Sequence, residues 1–166
     1  MRFINHVRNV MSFNEQTYGE VVDTQKMYSL ISDYISNSSG YRFYDFGSGF
    51  GKIVEEYANK FKESQGIEIN KERHMVAKKN NKHASASFIH GNFFHTDIQS
   101  SCVVFCNNLC LGIGTLKRLS MKFNNELNPG DLLLVTKPMP WLSKQYRICC
   151  KINCSWGESE IYLYTI

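Results

Sequence analysis

Several features that would indicate a membrane, secreted or metal-dependent protein are missing from this sequence. No apolar run approaches the roughly 18 residues that a membrane span needs, so we expect no membrane partner. None of the six cysteines belongs to a C-x-x-C pair, so the sequence predicts free thiols and no metal. Cysteines in a chain of 166 residues, long enough for a core of its own, indicate a reducing compartment. We therefore expect an intracellular protein, nuclear or cytoplasmic.

Internal repeats and linkers are also missing, so the sequence predicts one domain over residues 1–166. Within it we expect an N-terminal helical segment, 1–40, and a core, 41–166. The stretch "MRFINHVRNVMSF" lacks acidic residues, which would also fit a transit peptide, but a helix packed on the domain fits it better. Farther on, apolar residues at spacings of three and four predict an amphipathic helix in "TYGEVVDTQKMYSLISDYI".

From residue 41 onwards, strand and helix patterns alternate. Short apolar strands are predicted in "YRFYDF", "SQGIEI", "ASFIHGNF", "CVVFC" and "DLLLVTK", with helices in "KIVEEYANKF", "KERHMVAKKNNKH" and "LKRLSMKFNNEL". This alternation predicts an α/β fold whose parallel sheet is covered by helices on both faces. The ending "YRICCKINCSW" and "EIYLYTI", joined by a "GESE" turn, predicts a C-terminal antiparallel hairpin and so a seven-stranded, Rossmann-like sheet.

The loop "DFGSGFGK" follows the first strand and carries glycines at 47, 49 and 51. Glycines let the backbone turn sharply and approach a ligand closely. Asp45 would repel a pyrophosphate but suits a cation. Glu68 ends the next strand, where a carboxylate can accept both hydroxyls of a ribose. Together they favour an adenosine that bears a positive centre, as in S-adenosyl-L-methionine; the alternatives are that Asp45 caps the loop and that Glu68 is a solvated charge.

Two further elements follow the third and fourth strands. In "GNFF", Asn92 can hydrogen-bond an adenine edge and Phe93 can stack on its face, although Phe93 also suits a core position. In "FCNNLCLG", Asn107 stands where the fourth strand should end at the crevice beside the first strand. Its amide can orient an incoming amine without adding a charge, whereas a simple Asx turn is the alternative interpretation.

These blocks resemble those of a class I methyltransferase, and more narrowly the disruptor-of-telomeric-silencing family of histone H3 lysine methyltransferases that lack a SET domain. "TYGE" is similar to the family's Y-G-E motif and "YDFGSGFGKIV" to its D-L-G-S-G-x-G-x-x-V loop. "GIE", "GNF", "VVFCNNLCLG" and "SWGESEIYLYTI" are similar to its G-V-E, G-D-F, V-I-F-x-N-N-F-x-F-G and closing S-W…Y-L-x-T-I blocks. The resemblance runs from Thr17 to the last residue.

The resemblance implies S-adenosyl-L-methionine as cofactor, a class I methyltransferase sheet, and transfer of methyl to a lysine of a protein. The implied cofactor-binding residues are Tyr18, Glu20, Asp45, Gly47, Ser48, Gly49, Gly51, Glu68, Asn92, Phe93 and Asn107. The implied catalytic residues are Asn107, Phe105 and Tyr162. Leu109, Leu111 and Trp156 would form the channel for the acceptor lysine. Lys52 stands where the family has glutamine, Asn92 where it has aspartate, and Ile161 where it has a channel tyrosine.

The resemblance also implies histone H3, or another basic protein, as substrate. Docking on nucleosomal DNA would have to use scattered basic residues, Lys117, Arg118, Lys122, Lys144, Arg147 and Lys151, so we expect at most weak, salt-sensitive nucleic-acid contact. Two other functions stay open. A nucleic-acid methyltransferase usually has [DNS]-P-P-[YF] where this chain has "NNLC". A pseudoenzyme would bind cofactor and a partner without transferring methyl.

Overall fold

The computed structural model describes residues 19–166 of the chain. Its helices and strands, in chain order, are α1 Thr24–Ser32, β1 Arg42–Phe46, α2 Lys52–Tyr57, β2 Glu63–Glu68, α3 Lys71–Asn80, β3 Ala86–His90, β4 Cys102–Cys106, α4 Ile113–Glu126, β5 Leu132–Val135, β6 Tyr146–Cys154 and β7 Gly157–Thr165. The predicted alternation of strand and helix is confirmed over these residues. The predicted division at residue 40 stays a prediction, and Tyr18 lies outside the described residues.

The strands form one seven-stranded sheet in the order β3-β2-β1-β4-β5-β7-β6. Strands β1 to β5 pair in parallel, whereas β7 runs antiparallel to both β5 and β6. The predicted sheet, mostly parallel with a C-terminal antiparallel hairpin, is thus confirmed. Chain order reverses between β1 and β4, which are neighbours. Their carboxyl ends form the topological switch, where sheets of this kind bind ligands.

Apolar side chains cover both faces of the sheet. On the first face, Phe43, Phe105 and Ile161 pack in one cluster with residues of α1 and α2. On the second face, Phe46 and Cys106 pack with residues of α4. The near-continuous apolar character of strands such as "CVVFC" follows from this arrangement, because a strand buried on both faces needs no polar alternation. The predicted helices on both faces are confirmed.

The first helix begins later than its pattern predicts. Val21 pairs with Cys154 in an isolated antiparallel bridge, and the Val22 and Asp23 amides both donate to the Asn153 carbonyl. Residues 20–23 therefore lie against the end of β6 as extended chain, and α1 starts only at Thr24. Val21 fits the apolar spacing of the predicted helix, but it is buried because it pairs with Cys154 at the end of β6 and not because it lies in a helix.

The hairpin turn also differs from its prediction. Cys154 pairs with Gly157, so Ser155 and Trp156 form a two-residue turn and "GESE" is the start of β7. Gly157 has a φ of +126°, a value that suits glycine at this turn. The polar residues of "GESE" imitate a turn because they face the exposed end of an edge hairpin. Within residues 19–166, no helix is long and apolar enough to cross a membrane.

Candidate active site

The glycine loop turns over the carboxyl end of the neighbouring strand. Gly47, Gly49 and Gly51 have φ values of +90°, +56° and +82°, which side-chain-bearing residues rarely adopt. The amides of Gly47 and Ser48 donate to the Ile67 carbonyl at 2.9 and 3.1 Å. A Cβ added at Gly51 would lie 2.4 Å from the Phe88 ring, so this position has no room for a side chain. The loop is thus held against β2 by backbone contacts.

Asp45 is a buried carboxylate at the end of β1. Its exposed fraction is 3%, and no residue of the described chain donates a hydrogen bond to its side chain. Burial and, as the smaller cause, the nearby Glu68 carboxylate together raise the pKa of Asp45 to about 8. The interpretation of Asp45 as a cap of the loop is therefore wrong. A buried acid without a partner would be stabilised by a bound cation.

Glu68 is also buried, with an exposed fraction of 4%. Its Oε2 accepts from the Gly49 amide at 2.8 Å and its Oε1 from the Asn70 amide at 2.7 Å, with Arg73 Nη2 at 3.3 Å from Oε1. Glu68 is thus not a solvated charge. A carboxylate can accept about four hydrogen bonds, so Glu68 keeps acceptor capacity for a ligand while it fixes the glycine loop.

A crevice opens beside this loop at the carboxyl ends of β1 and β4. Its walls are formed by Gly19, Glu20, Val21, Asp45, Gly47, Ser48, Lys52, Ile53, Phe105 and Asn107. Six predicted site residues meet here: Glu20, Asp45, Gly47, Ser48, Phe105 and Asn107. The Ser48 hydroxyl is buried and has no hydrogen-bond partner within residues 19–166. Asp45 and Ser48 are thus two buried polar groups at this crevice that the described residues leave unsatisfied.

The two asparagines after β4 differ in burial and bonding. Asn108 is fully buried, and its Nδ2 donates to the Lys137 carbonyl at 2.8 Å. Asn107 is half-buried and lines the crevice. The Thr136 hydroxyl lies 2.9 Å from Asn107 Oδ1 and 3.2 Å from Asn108 Oδ1, so it orients both amides. Asn108 is structural, whereas the Asn107 Nδ2 has no hydrogen-bond partner within residues 19–166.

The predicted adenine contacts lie farther along the same sheet edge, outside the crevice walls. Asn92 Oδ1 accepts from the Phe94 amide at 3.0 Å and so caps a short 3₁₀ turn, Phe93–His95. The Phe93 ring stacks on Phe46 with centroids 5.4 Å apart and an interplanar angle of 8°. Both residues are half-buried, and their adenine contacts stay predictions.

Tyr162 points away from the crevice. In β7 it pairs with Val135 and packs on the second face of the sheet, where its hydroxyl lies 2.5 Å from a Glu160 carboxylate oxygen. Ile161, one residue earlier, is fully buried on the first face together with Phe105. The structure thus does not bring the predicted catalytic Tyr162 to the crevice, because adjacent strand residues point to opposite faces.

The predicted channel residues are likewise not brought to the crevice walls. Leu109 is 41% exposed, and Leu111 packs against the second-face cluster. Trp156 packs behind the crevice: a Cβ added at Gly19 would lie 2.2 Å from its ring, and its Nε1 donates to the Ser159 hydroxyl at 2.9 Å. Trp156 therefore supports the Gly19–Glu20 segment that forms one crevice wall.

Sequence reasoning missed Thr136 and the crevice contacts of Val21 and Ile53. Thr136 follows β5 directly, and its position at the same edge as Asn107 was the available signal. Gly19 appeared only within the quoted "TYGE" motif, and Lys52 only as a departure from the family's glutamine. The cysteines are all free, with Cys110 exposed and Cys149 and Cys150 half-buried. Among residues 19–166, no cluster of three or more His, Cys, Asp or Glu side chains could hold a metal ion.

Similar solved structures define the class of this fold. An RNA methyltransferase from Salinibacter ruber, in complex with S-adenosyl-L-homocysteine, superposes with a TM-score of 0.66 at 24% identity, over 86% of this chain and 89% of that one. Magnesium protoporphyrin IX methyltransferase from Synechocystis, with bound cofactor, gives 0.67 at 12% identity, over 86% and 78%. The fold is that of a class I methyltransferase.

Within this class of fold, the chain can be assigned to a narrower family. The chain belongs to the family described as "Histone methylation protein DOT1", whose model matches residues 3–150. The resemblance noted in the sequence is thus confirmed. Comparison with curated proteins gives no match. Family and fold together make the chain an S-adenosyl-L-methionine-dependent methyltransferase.

The crevice fits this cofactor on the chain's own residues. The Asp45 carboxylate, which accepts no hydrogen bond within residues 19–166, suits a cationic group. The Ser48 hydroxyl is packed against β2, because a Cβ added at Gly66 would lie 2.6 Å from its Oγ. The exposed Gly47 has nothing within 4 Å of an added Cβ, so its backbone is open to close approach. When bound, S-adenosyl-L-methionine supplies a methyl group that its sulfonium has already activated. Asp45, Ser48, Glu20 and Glu68 would hold it in the crevice.

Proposed function

We propose that the chain methylates a lysine amine of a protein, with histone H3 or another basic protein as substrate and a nuclear or cytoplasmic location. The observation that carries this proposal is the crevice wall at the end of β4, which contains the apolar Phe105 and the neutral Asn107 amide. The family match supports it independently. The predicted catalytic roles of Phe105 and Asn107 belong to this proposal.

A methyl acceptor must present a neutral amine, whereas a free lysine is mostly protonated near pH 7. Phe105 is 2% exposed and provides an apolar wall, which disfavours the ammonium form by desolvation. Asn107 adds a fixed dipole without a charge, because Thr136 holds its Oδ1. Orientation of the amine in line with the methyl group then supplies most of the rate enhancement.

Docking on nucleosomal DNA is weakly supported by the surface. Lys122, one of the expected docking residues, is only 8% exposed, and its Nζ donates to the Thr96 carbonyl and to Glu126. Arg118 lies over the Phe94 ring at 4.2 Å. Fewer basic residues than expected are thus free for phosphate contacts, which favours a free protein over a nucleosome as substrate.

Methyl transfer from a radiolabelled cofactor to free histones, nucleosomes, RNA and total protein extract tests the proposal. Mass spectrometry would locate the modified residue. We expect label on a lysine, and we expect Asn107→Ala to abolish it with cofactor affinity little changed. Label on RNA alone would favour the nucleic-acid alternative, in line with the Salinibacter ruber neighbour. Cofactor binding without any labelled product would favour the pseudoenzyme.

A further inference from the structure

The crevice contains one basic side chain among its wall residues. Lys52, the first residue of α2, is half-buried and lines the crevice together with the acidic Glu20 and Asp45. The ion pairs formed among residues 19–166 do not include Lys52. Most lysines on a helix of this protein point to solvent. Lys52 instead shares a wall with the buried Asp45 carboxylate, which has no partner among residues 19–166.

The charges of these walls match one end of the cofactor. The amino-acid tail of S-adenosyl-L-methionine carries an ammonium group and a carboxylate. Asp45 and Glu20 offer negative charge for the ammonium group, and Lys52 is the basic side chain of this crevice that can answer the carboxylate. Asp45 and Glu20 would repel the cofactor's carboxylate if it had no cationic partner. Binding of the complete amino-acid tail therefore requires a compensating cation.

We propose that Lys52 pairs with the cofactor's carboxylate and makes the crevice selective for a cofactor that retains this group. The resembled family has a glutamine at this position, which can donate a hydrogen bond but adds no charge. A lysine adds a charge-assisted interaction, which is stronger and depends on salt. A decarboxylated analogue would leave Lys52 facing an ammonium group across the same crevice and would bind weakly.

The inference concerns cofactor binding and does not depend on which acceptor the enzyme methylates. Calorimetry without any acceptor therefore tests it. S-adenosyl-L-homocysteine, its decarboxylated analogue and 5′-methylthioadenosine, which lacks the tail, would be titrated into the wild-type protein and into Lys52→Gln and Lys52→Met. Lys71→Gln is a matched control, because Lys71 is also the first residue of a helix but is exposed and outside the crevice walls.

We expect Lys52→Gln to weaken S-adenosyl-L-homocysteine binding by about tenfold, and Lys52→Met by more, as for loss of one charge-assisted hydrogen bond. Affinity for 5′-methylthioadenosine should change less than about twofold, and the decarboxylated analogue should bind the variants at least as well as the wild type. Lys71→Gln should change none of the three. Equal losses for all three ligands, or no loss for S-adenosyl-L-homocysteine, would overturn the proposal; circular dichroism would verify that each variant is folded.

Discussion

Two buried aspartates at opposite ends of the parallel strands show how this chain separates stability from function. Asp131, at the amino end of β5, is 1% exposed, and its two oxygens accept from the Cys102 and Asn128 amides at 2.8 Å each. Asp45, at the carboxyl end of β1, is 3% exposed and has no such donor within the described chain. The described residues satisfy the hydrogen-bonding capacity of Asp131, whereas that of Asp45 is left for a ligand to satisfy.

The adjacent asparagines repeat this difference at a finer scale. Asn108 is bonded through both ends of its amide to residues after β5, whereas Asn107 is bonded through its oxygen only. The lesson is that burial alone does not identify a functional polar residue. A functional polar residue is identified by the unsatisfied hydrogen-bonding capacity of a buried group at the carboxyl ends of the strands, where ligands bind.

The largest effect on stability should come from Asp131→Ala. The change leaves the buried Cys102 amide and the part-buried Asn128 amide without their acceptor, so we expect the free energy of unfolding to fall by about 3 kcal/mol. Urea denaturation measures this loss. Asp97→Ala, at an exposed aspartate, serves as the control and should change stability by less than about 0.5 kcal/mol. Equal stabilities of the two variants would mean that the hydrogen bonds of Asp131 at the amino end of β5 do not stabilise the fold.

The asparagine pair should separate stability from turnover. We expect Asn108→Ala to lower the free energy of unfolding by about 2 kcal/mol, because the Lys137 carbonyl and Thr136 hydroxyl lose buried partners. Asn107→Ala should cost less than about 1 kcal/mol, because Asn107 is half-buried. It should nevertheless remove methyl transfer. Thermal unfolding and a methylation assay on both variants test the pair, and normal turnover in Asn107→Ala would end its assignment to the reaction centre.

An effect of opposite sign, and one that depends on pH, should come from Asp45→Asn. The pKa of Asp45 is about 8 in the folded protein, against 3.8 for an exposed aspartate, so folding favours its protonated form. Its contribution to stability is fully present below pH 4 and is lost as the pH rises through 8. At pH 9 the wild type holds a buried charge that the variant lacks. We expect Asp45→Asn to unfold at higher denaturant concentration there, and to match the wild type more closely at pH 5, where the wild type keeps most of this contribution; destabilisation at pH 9 would contradict this.

Much of the architecture could be predicted because it depends on local patterns. Apolar strands between amphipathic helices, a glycine loop after the first strand and a carboxylate at the end of the second indicated the sheet and its ligand edge. The register of an edge hairpin depends on long-range pairing, and an error of one residue reverses every side chain. Tyr162 was expected at the crevice as the neighbour of Ile161, which stands where the family has a channel tyrosine. The two residues pack on opposite faces of the sheet, and neither is among the crevice walls.

Bonding partners were the other element that local patterns could not provide. The strand pattern assigned Asn107 to the crevice, but the structural role of Asn108 depends on Lys137 and Thr136, which approach it from the end of β5. Lys122 looks like a surface lysine by composition, yet the chain at Thr96 and Glu126 on α4 encloses its Nζ. Glu68 ends β2 as its pattern predicts, but its role in fixing Gly49 required the folded loop.

The central claim is that Asp45 is left without a partner because the cationic part of the cofactor becomes its partner. Calorimetric titration of S-adenosyl-L-homocysteine at pH 7, repeated in buffers of different ionisation enthalpy, measures the protons released on binding. An aspartate with a pKa of about 8 is mostly protonated at pH 7 and should lose close to one proton when a cation binds beside it. We expect the wild type to release about 0.9 proton and Asp45→Asn to release almost none. Equal proton release by the two proteins would contradict the claim.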